Sequence, residues 1–117
     1  MTEKAKKVPV RFFQTQSDAE PVREWLKSLP QVDRRKIGFG LMELEYGWPI
    51  GMPLCKALGS GLFELRVPLK HRIARVIFCF REGYLVALHG FIKKTRRTPA
   101  KDLAVARARK RTLERTR

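Results

Sequence analysis

Cysteine is scarce in this sequence: two in 117 residues, at Cys55 and Cys79, far apart and with no CxxC. That excludes a disulfide framework and a cysteine-based zinc site, and leaves two reduced thiols of a cytosolic protein as the expectation. Long hydrophobic runs are lacking too. None approaches the roughly 20 apolar residues of a membrane span, and the opening MTEKAKKVPV has no apolar centre of signal-peptide length. The expected location is the cytoplasm, with no membrane contact. No phosphate-cradling glycine loop, metal-ligand cluster, Ser/His/Asp arrangement, internal repeat or low-complexity linker is visible.

Acidic residues are the last shortage. Asp+Glu number 11 against 26 Lys+Arg, which gives a net charge of +15 and a pI of about 10.8. Such an excess calls for a polyanionic partner, nucleic acid before anionic membrane. It is concentrated at one end. From Lys93 to Arg117 there are eleven Lys/Arg and two acids, Asp102 and Glu114, so this stretch carries +9 of the +15.

A chain of 117 residues is expected to form one domain over 1–117, frayed at 1–7 and 114–117. VPVRFFQ from Val8 to Gln14 is short and β-prone and reads as a first strand. Ser17–Glu20, SDAE, signals a helix start with Pro21 tolerated close behind it, and Val22, Trp25, Leu26 and Leu29 then form one apolar stripe. Pro30 separates this helix from a second, Gln31 to Tyr46, with Ile37, Leu41 and Leu44 at helical spacing and Gly47 as its stop. The short connection suggests an antiparallel helical hairpin. Gly38 and Gly40 each cost this helix about 1 kcal/mol relative to alanine, so close approach of another element is expected at both. Trp25 and Trp48 read as core residues. Gly47 to Gly61, rich in Gly and Pro, reads as a loop across the sheet edge, with a short turn at Lys56–Leu58.

The organising stretch is Gly61 to Pro99. Leu62–Val67 alternates, with Phe63, Leu65 and Val67 on one face and Glu64 and Arg66 on the other. After a turn at Pro68–Lys70, Arg72–Phe80 is apolar on both faces and therefore central, with Arg75 among Ile73, Ile77 and Cys79. Arg81-Glu82-Gly83 makes a tight hairpin, and Tyr84–Lys93 follows, with Val86, Leu88 and Gly90 on one face and Ala87, His89, Phe91 and Lys93 on the other. If the buried faces coincide, Arg66, Arg75, His89 and Lys93 share the open face of a three-stranded meander. Pro99 opens a basic last helix through Arg115, thinly apolar at Leu103, Ala106 and Leu113, which is expected to extend the same surface.

Cations converging on a sheet can bind a nucleic-acid backbone or stabilise a phosphorane transition state. Arginine grips phosphate oxygens bidentately, whereas lysine is a point anchor or, with a lowered pKa, a base. A cross-strand ion pair with Glu64, or stems covering the sheet, is the plain structural alternative for Arg66 and Arg75. For His89 it is a hydrogen-bonded core histidine in place of a general acid or base. Lys70, Arg72, Lys94, Arg96, Arg97, Arg107 and Lys110 are the further candidates for nucleic-acid contact.

Three segments carry a resemblance: Lys56-x-Leu58-Gly59-x-Gly61-Leu62-Phe63-Glu64-Leu65-Arg66, then Arg75-Val76-Ile77-Phe78, then Leu88-His89-Gly90-Phe91-Ile92-Lys93-Lys94-Thr95-x-x-Thr98-Pro99. Together they resemble the HigB-like, phage-derived branch of the RelE/ParE toxin superfamily, from about Phe12 to Lys110. The resemblance implies an α+β, RelE-like fold: two N-terminal helices packed on a small antiparallel sheet, plus a basic C-terminal helix. It also implies a toxin of a type II toxin–antitoxin system, a ribosome-dependent mRNA endoribonuclease. Because RNA supplies its own nucleophile and no carboxylate pair is visible to hold magnesium, neither metal nor small-molecule cofactor is expected. Its partners would be the ribosome, mRNA and a HigA-like helix-turn-helix antitoxin. Arg66 matches the arginine that ends the family's E-L-R strand, and Arg75 the central-strand arginine that contacts the scissile phosphate in RelE-like members. Lys93 and Lys94 fall near the family's basic residues after the last strand. Phe78 stands where the family usually has tyrosine, and no tyrosine or Asp-Tyr-His end is found. Lys93, Lys94 and His89 are therefore all open as the general base. A non-catalytic nucleic-acid or ribosome-binding protein and a ParE-like gyrase inhibitor are the rival readings.

Overall fold

The computed structural model describes residues 8–115; the expected fraying at 1–7 and at 116 and 117 lies outside them. The elements in chain order are β1 (Val10–Phe12), α1 (Pro21–Ser28), α2 (Gln31–Gly47), β2 (Cys55–Gly59), β3 (Leu62–Leu69), β4 (Arg72–Arg81), β5 (Tyr84–Lys93) and α3 (Ala100–Arg115). This is an α+β architecture with a five-stranded mixed sheet in the order β1-β5-β4-β3-β2. β3, β4 and β5 form the expected antiparallel meander, and β4 is central.

Two strands enlarge the sheet beyond a meander. β1 pairs in parallel with β5, Val10 opposite Leu85. Residues 55–59, expected as loop and turn, pair antiparallel with β3, and Cys55 lies opposite Leu65 with its side chain buried. Glycines conceal β2 in the sequence: Gly59 and Gly61, with φ of 91° and 78°, serve the turn that returns the chain. A two-residue turn at Glu82-Gly83, φ 50° and 85°, joins β4 to β5, the geometry that matches strand twist.

Helix placement differs from expectation in three ways. Ser17–Glu20 does not begin α1; Thr15 Oγ1 accepts from the Ala19 N–H at 3.1 Å in a turn, and the helix starts at Pro21, because the residue before proline is disfavoured in helical backbone. α1 packs on β5 and β1 and α2 on β3, so each docks on the sheet instead of zipping onto the other. α3 covers the sheet face opposite to α1 and α2. Its last residues, Glu114 and Arg115, remain helical.

Two cores result. On the α1/α2 face Val22, Ile37, Leu44, Leu65, Val76 and Phe78 are buried, with Trp25 and Trp48 packed against them. Trp48 meets Phe63 and Phe78 edge-on at 4.9 and 5.3 Å. On the other face Leu62, Ile77, Cys79, Val86, Leu88 and Phe91 pack under Ala106, Leu103 and Leu113 of α3. Each fully buried aliphatic or aromatic side chain contributes roughly 1.5–3 kcal/mol.

A bulge sets which β5 residues meet the site. Phe78 faces Ala87 and Ile77 faces His89, leaving Leu88 as the extra residue. Simple alternation through β5 therefore fails. Val86 and Leu88 face α3, and beyond the bulge it is His89 and Phe91 that do so, while Gly90 turns to α1. A Cβ at Gly90 would lie 2.3 Å from the Trp25 ring. Arg109 Nη1 donates to the Leu88 carbonyl at 2.8 Å, giving the bulge a partner.

Candidate nucleic-acid interface

Register places Arg66 opposite Arg75, and Arg75 opposite Phe91. With His89 on the same face and Lys93 at the strand end, the four expected residues do line one face, but that face is not open. α3 and the segment 94–99 cover it, and Arg75 and Glu64 are both 0% exposed.

A buried arginine mid-strand is costly unless its donors are satisfied. Arg75 Nη1 donates to the Arg97 carbonyl at 2.9 Å and Nη2 to the Thr95 carbonyl. Its Nε is buried without a partner among the described residues, and burial pulls the guanidinium pKa below its usual value. Arg66 donates through Nε to Glu64 at 2.8 Å and through Nη2 to the Arg96 carbonyl at 2.5 Å. Glu64 also accepts from Thr98 Oγ1 at 2.8 Å. The ion pair of Arg66 with Glu64 runs along one strand, and Arg75 is held chiefly by backbone carbonyls. In this conformation neither guanidinium fork is free for a phosphate.

The remaining candidates separate into two groups. Pairing of Ile73 with Lys93 brings the β3–β4 turn beside the end of β5. Lys70, Lys93 and Lys94 are therefore gathered at that end of the sheet, and Arg96 and Arg97 follow on the segment that crosses the Arg66 and Arg75 guanidiniums; all five are exposed. Arg72 sits there too, with Nη2 3.0 Å from Asp33 Oδ2, tying the turn to α2. Arg107 and Lys110 are elsewhere: they border a cleft with Ser60 and Leu62 at the opposite end, and Lys110 Nζ pairs with Glu114 at 2.6 Å.

His89 Nε2 is 2.7 Å from Asp102 Oδ1 in the first turn of α3, and its ring stacks on Phe91 with centroids 5.6 Å apart. Asp102 is buried, and its Oδ2 has no partner among the described residues. His89 Nδ1 has no hydrogen bond among them, so the dyad can orient an imidazole that keeps one nitrogen available. A separate cleft of about 350 Å³ runs between α2 and β3, lined by Arg35, Lys36, Phe39, Val67 and Pro68 and reaching Arg66.

Thr98 and Asp102 are the participants that sequence reasoning missed. Glu64 was anticipated as an ion-pair partner, and it pairs with Arg66 along its own strand. Asp102 and Thr98 were not, because only the fold brings residues 98 and 102 over the sheet.

A family model described as "Phage derived protein Gp49-like (DUF891)" matches residues 24–111. The chain belongs to this Gp49-like family. Gp49-like proteins are related to RelE-like toxins, and the matched span takes in α2, all of β2 to β5 and most of α3. No curated protein matches the chain. No helix among the described residues of this Gp49-like chain is long and apolar enough to cross a membrane.

Proposed function

We propose that this Gp49-like chain is a HigB-like toxin of a type II toxin–antitoxin system that cuts mRNA on the ribosome and is held in check by a HigA-like helix-turn-helix antitoxin. One observation carries the reading: five cations, Lys70 in the β3–β4 turn, Lys93 and Lys94 at the end of β5 beside it, and Arg96 and Arg97 on the segment that follows, are all exposed. Such a cluster matches the phosphates of a single strand.

The proposed reaction uses a nucleophile that RNA itself supplies. The 2′-oxygen bonds to the adjacent phosphorus as the bond from phosphorus to the next 5′-oxygen breaks. The 2′-hydroxyl proton passes to a base, and a proton returns to the leaving 5′-oxygen. Arg96 and Arg97 offset the charge of the phosphorane in this reaction. Lys93, at the rim, and His89, oriented by Asp102, are the groups that can move protons. The upstream fragment then ends in a 2′,3′-cyclic phosphate, and its 3′ end should resist poly(A) addition until that phosphate is opened and removed. A free 3′-hydroxyl would refute internal attack.

The engagement of Arg66 and Arg75 with backbone carbonyls favours a second reading, a ribosome- or RNA-binding protein without cleavage. In that case translation would stop on an intact message.

A further inference from the structure

Three successive carbonyls, those of Thr95, Arg96 and Arg97, accept from two arginines of the sheet. The next residue, Thr98, is fastened through its hydroxyl to the fully buried Glu64. The segment is thus anchored at four consecutive residues on its inner side, while Lys94, Thr95, Arg96 and Arg97 are exposed on its outer side. The N–H groups of Arg96 and Arg97 donate to no described residue, and successive free amides beside cations suit an anion.

We propose that Arg75, assisted by Arg66, is a positioning residue: its guanidinium fork holds the Thr95–Arg97 backbone in the one conformation that presents Lys93, Lys94, Arg96 and Arg97 as a preformed phosphate-binding surface, and it does not itself touch RNA. The inference rests on the RNA reading above and assigns the phosphate binding to the segment. Charge and shape both support it. The fork spans two carbonyls two residues apart, which one ammonium group does not reproduce. Four exposed like charges, those of Lys93, Lys94, Arg96 and Arg97, repel, and a flexible segment carrying them would lose conformational freedom on binding; anchoring removes that cost beforehand. Buried Glu64 offsets Arg66 beneath, and Arg75 is fully buried, so the exposed charge belongs to the segment.

Arg75→Lys is the decisive variant because it keeps the charge and loses the fork. Two readouts are taken on the full chain. Limited trypsin digestion, with the first cuts mapped by mass spectrometry, reports opening of the segment without any RNA. Fluorescence anisotropy of a short single-stranded RNA over a salt series reports how many phosphates are engaged. Cutting after Arg96 and Arg97 is expected to speed up about fivefold or more, in proportion to the population of the opened segment. The logarithmic salt slope is expected to fall by about 0.7 for each phosphate that the variant no longer engages. Unchanged cutting, or full binding by Arg75→Lys where Arg75→Gln binds poorly, would overturn the proposal, since charge alone would then suffice. Should Arg75→Lys fail to fold, Thr98→Val removes only the Glu64 anchor and is expected to move both readouts the same way by a smaller factor; no change in either would also overturn it. Wild-type protein that binds no RNA at low salt would sink the RNA reading, while the digestion still decides whether Arg75 pins the segment.

Discussion

Cys55 illustrates how far burial alone sets chemistry at one residue. Its thiol is 3% exposed, and burial pushes the pKa from 9.0 up to about 11. The unfolded chain therefore loses this proton first as pH rises. The contribution to stability is fully present below pH 9.0 and fades as pH climbs toward 11, amounting to about 2 to 3 kcal/mol at 1.36 kcal/mol per unit. Denaturant melts of wild type and Cys55→Ala across that range should converge as pH rises. Parallel curves would show that folding leaves the thiol's pKa unchanged. The same residue marks a limit of sequence reading. A cysteine between proline and glycine looks like loop, and only its pairing opposite Leu65 reveals a strand. Arg75 was half legible: a charge in the middle of an apolar strand had to have a purpose, but its acceptors lie some 20 residues on, in backbone that no side-chain pattern announces.

Among the elements, α2 separates two glycines that look alike in sequence. A Cβ at Gly40 would lie 2.7 Å from Val67 Cγ2, whereas at Gly38 it would meet nothing within 4 Å. Close approach to the sheet explains Gly40 and leaves Gly38 without a packing reason. Gly38→Ala is expected to stabilise the protein by about 1 kcal/mol through helix propensity, and Gly40→Ala to destabilise it by about 1 to 3 kcal/mol through overpacking. Chemical denaturation of the two variants checks the contrast, and stabilisation by both would contradict the helix–sheet contact. The long apolar strands and helix α2 were legible because their periodicity is sustained over many residues. The bulge at Leu88 was not, since a single inserted residue leaves no mark in an alternation that is apolar on both faces. Its consequence is specific: His89 reaches α3 and Gly90 reaches Trp25. α3 itself was legible as a helix, but not as a lid, because its apolar stripe is thin and Asp102 is what it offers to the sheet.

For the molecule as a whole, charge and topology point the same way. The net +15 is displayed chiefly beside α3 and at the sheet end where the β3–β4 turn meets residues 93–97. Under that surface, Arg75 and Arg66 and the acids Glu64 and Asp102 hold it together. Composition pointed to a polyanion, and the motif from His89 to Pro99 pointed to toxin relatives; the family shown over residues 24–111 is the Gp49-like one, which is related to RelE-like toxins. What remained hidden was the division of labour between buried and exposed arginines, since the two kinds are identical until the chain is folded. The central claim is cleavage of message on the ribosome. It is tested most directly by adding the purified protein to a defined mRNA, naked and under translation, and mapping new 5′ ends by primer extension. Discrete cuts inside codons on the ribosome-bound message, with the naked message intact, are the predicted result; a message that stays intact in both conditions would contradict it.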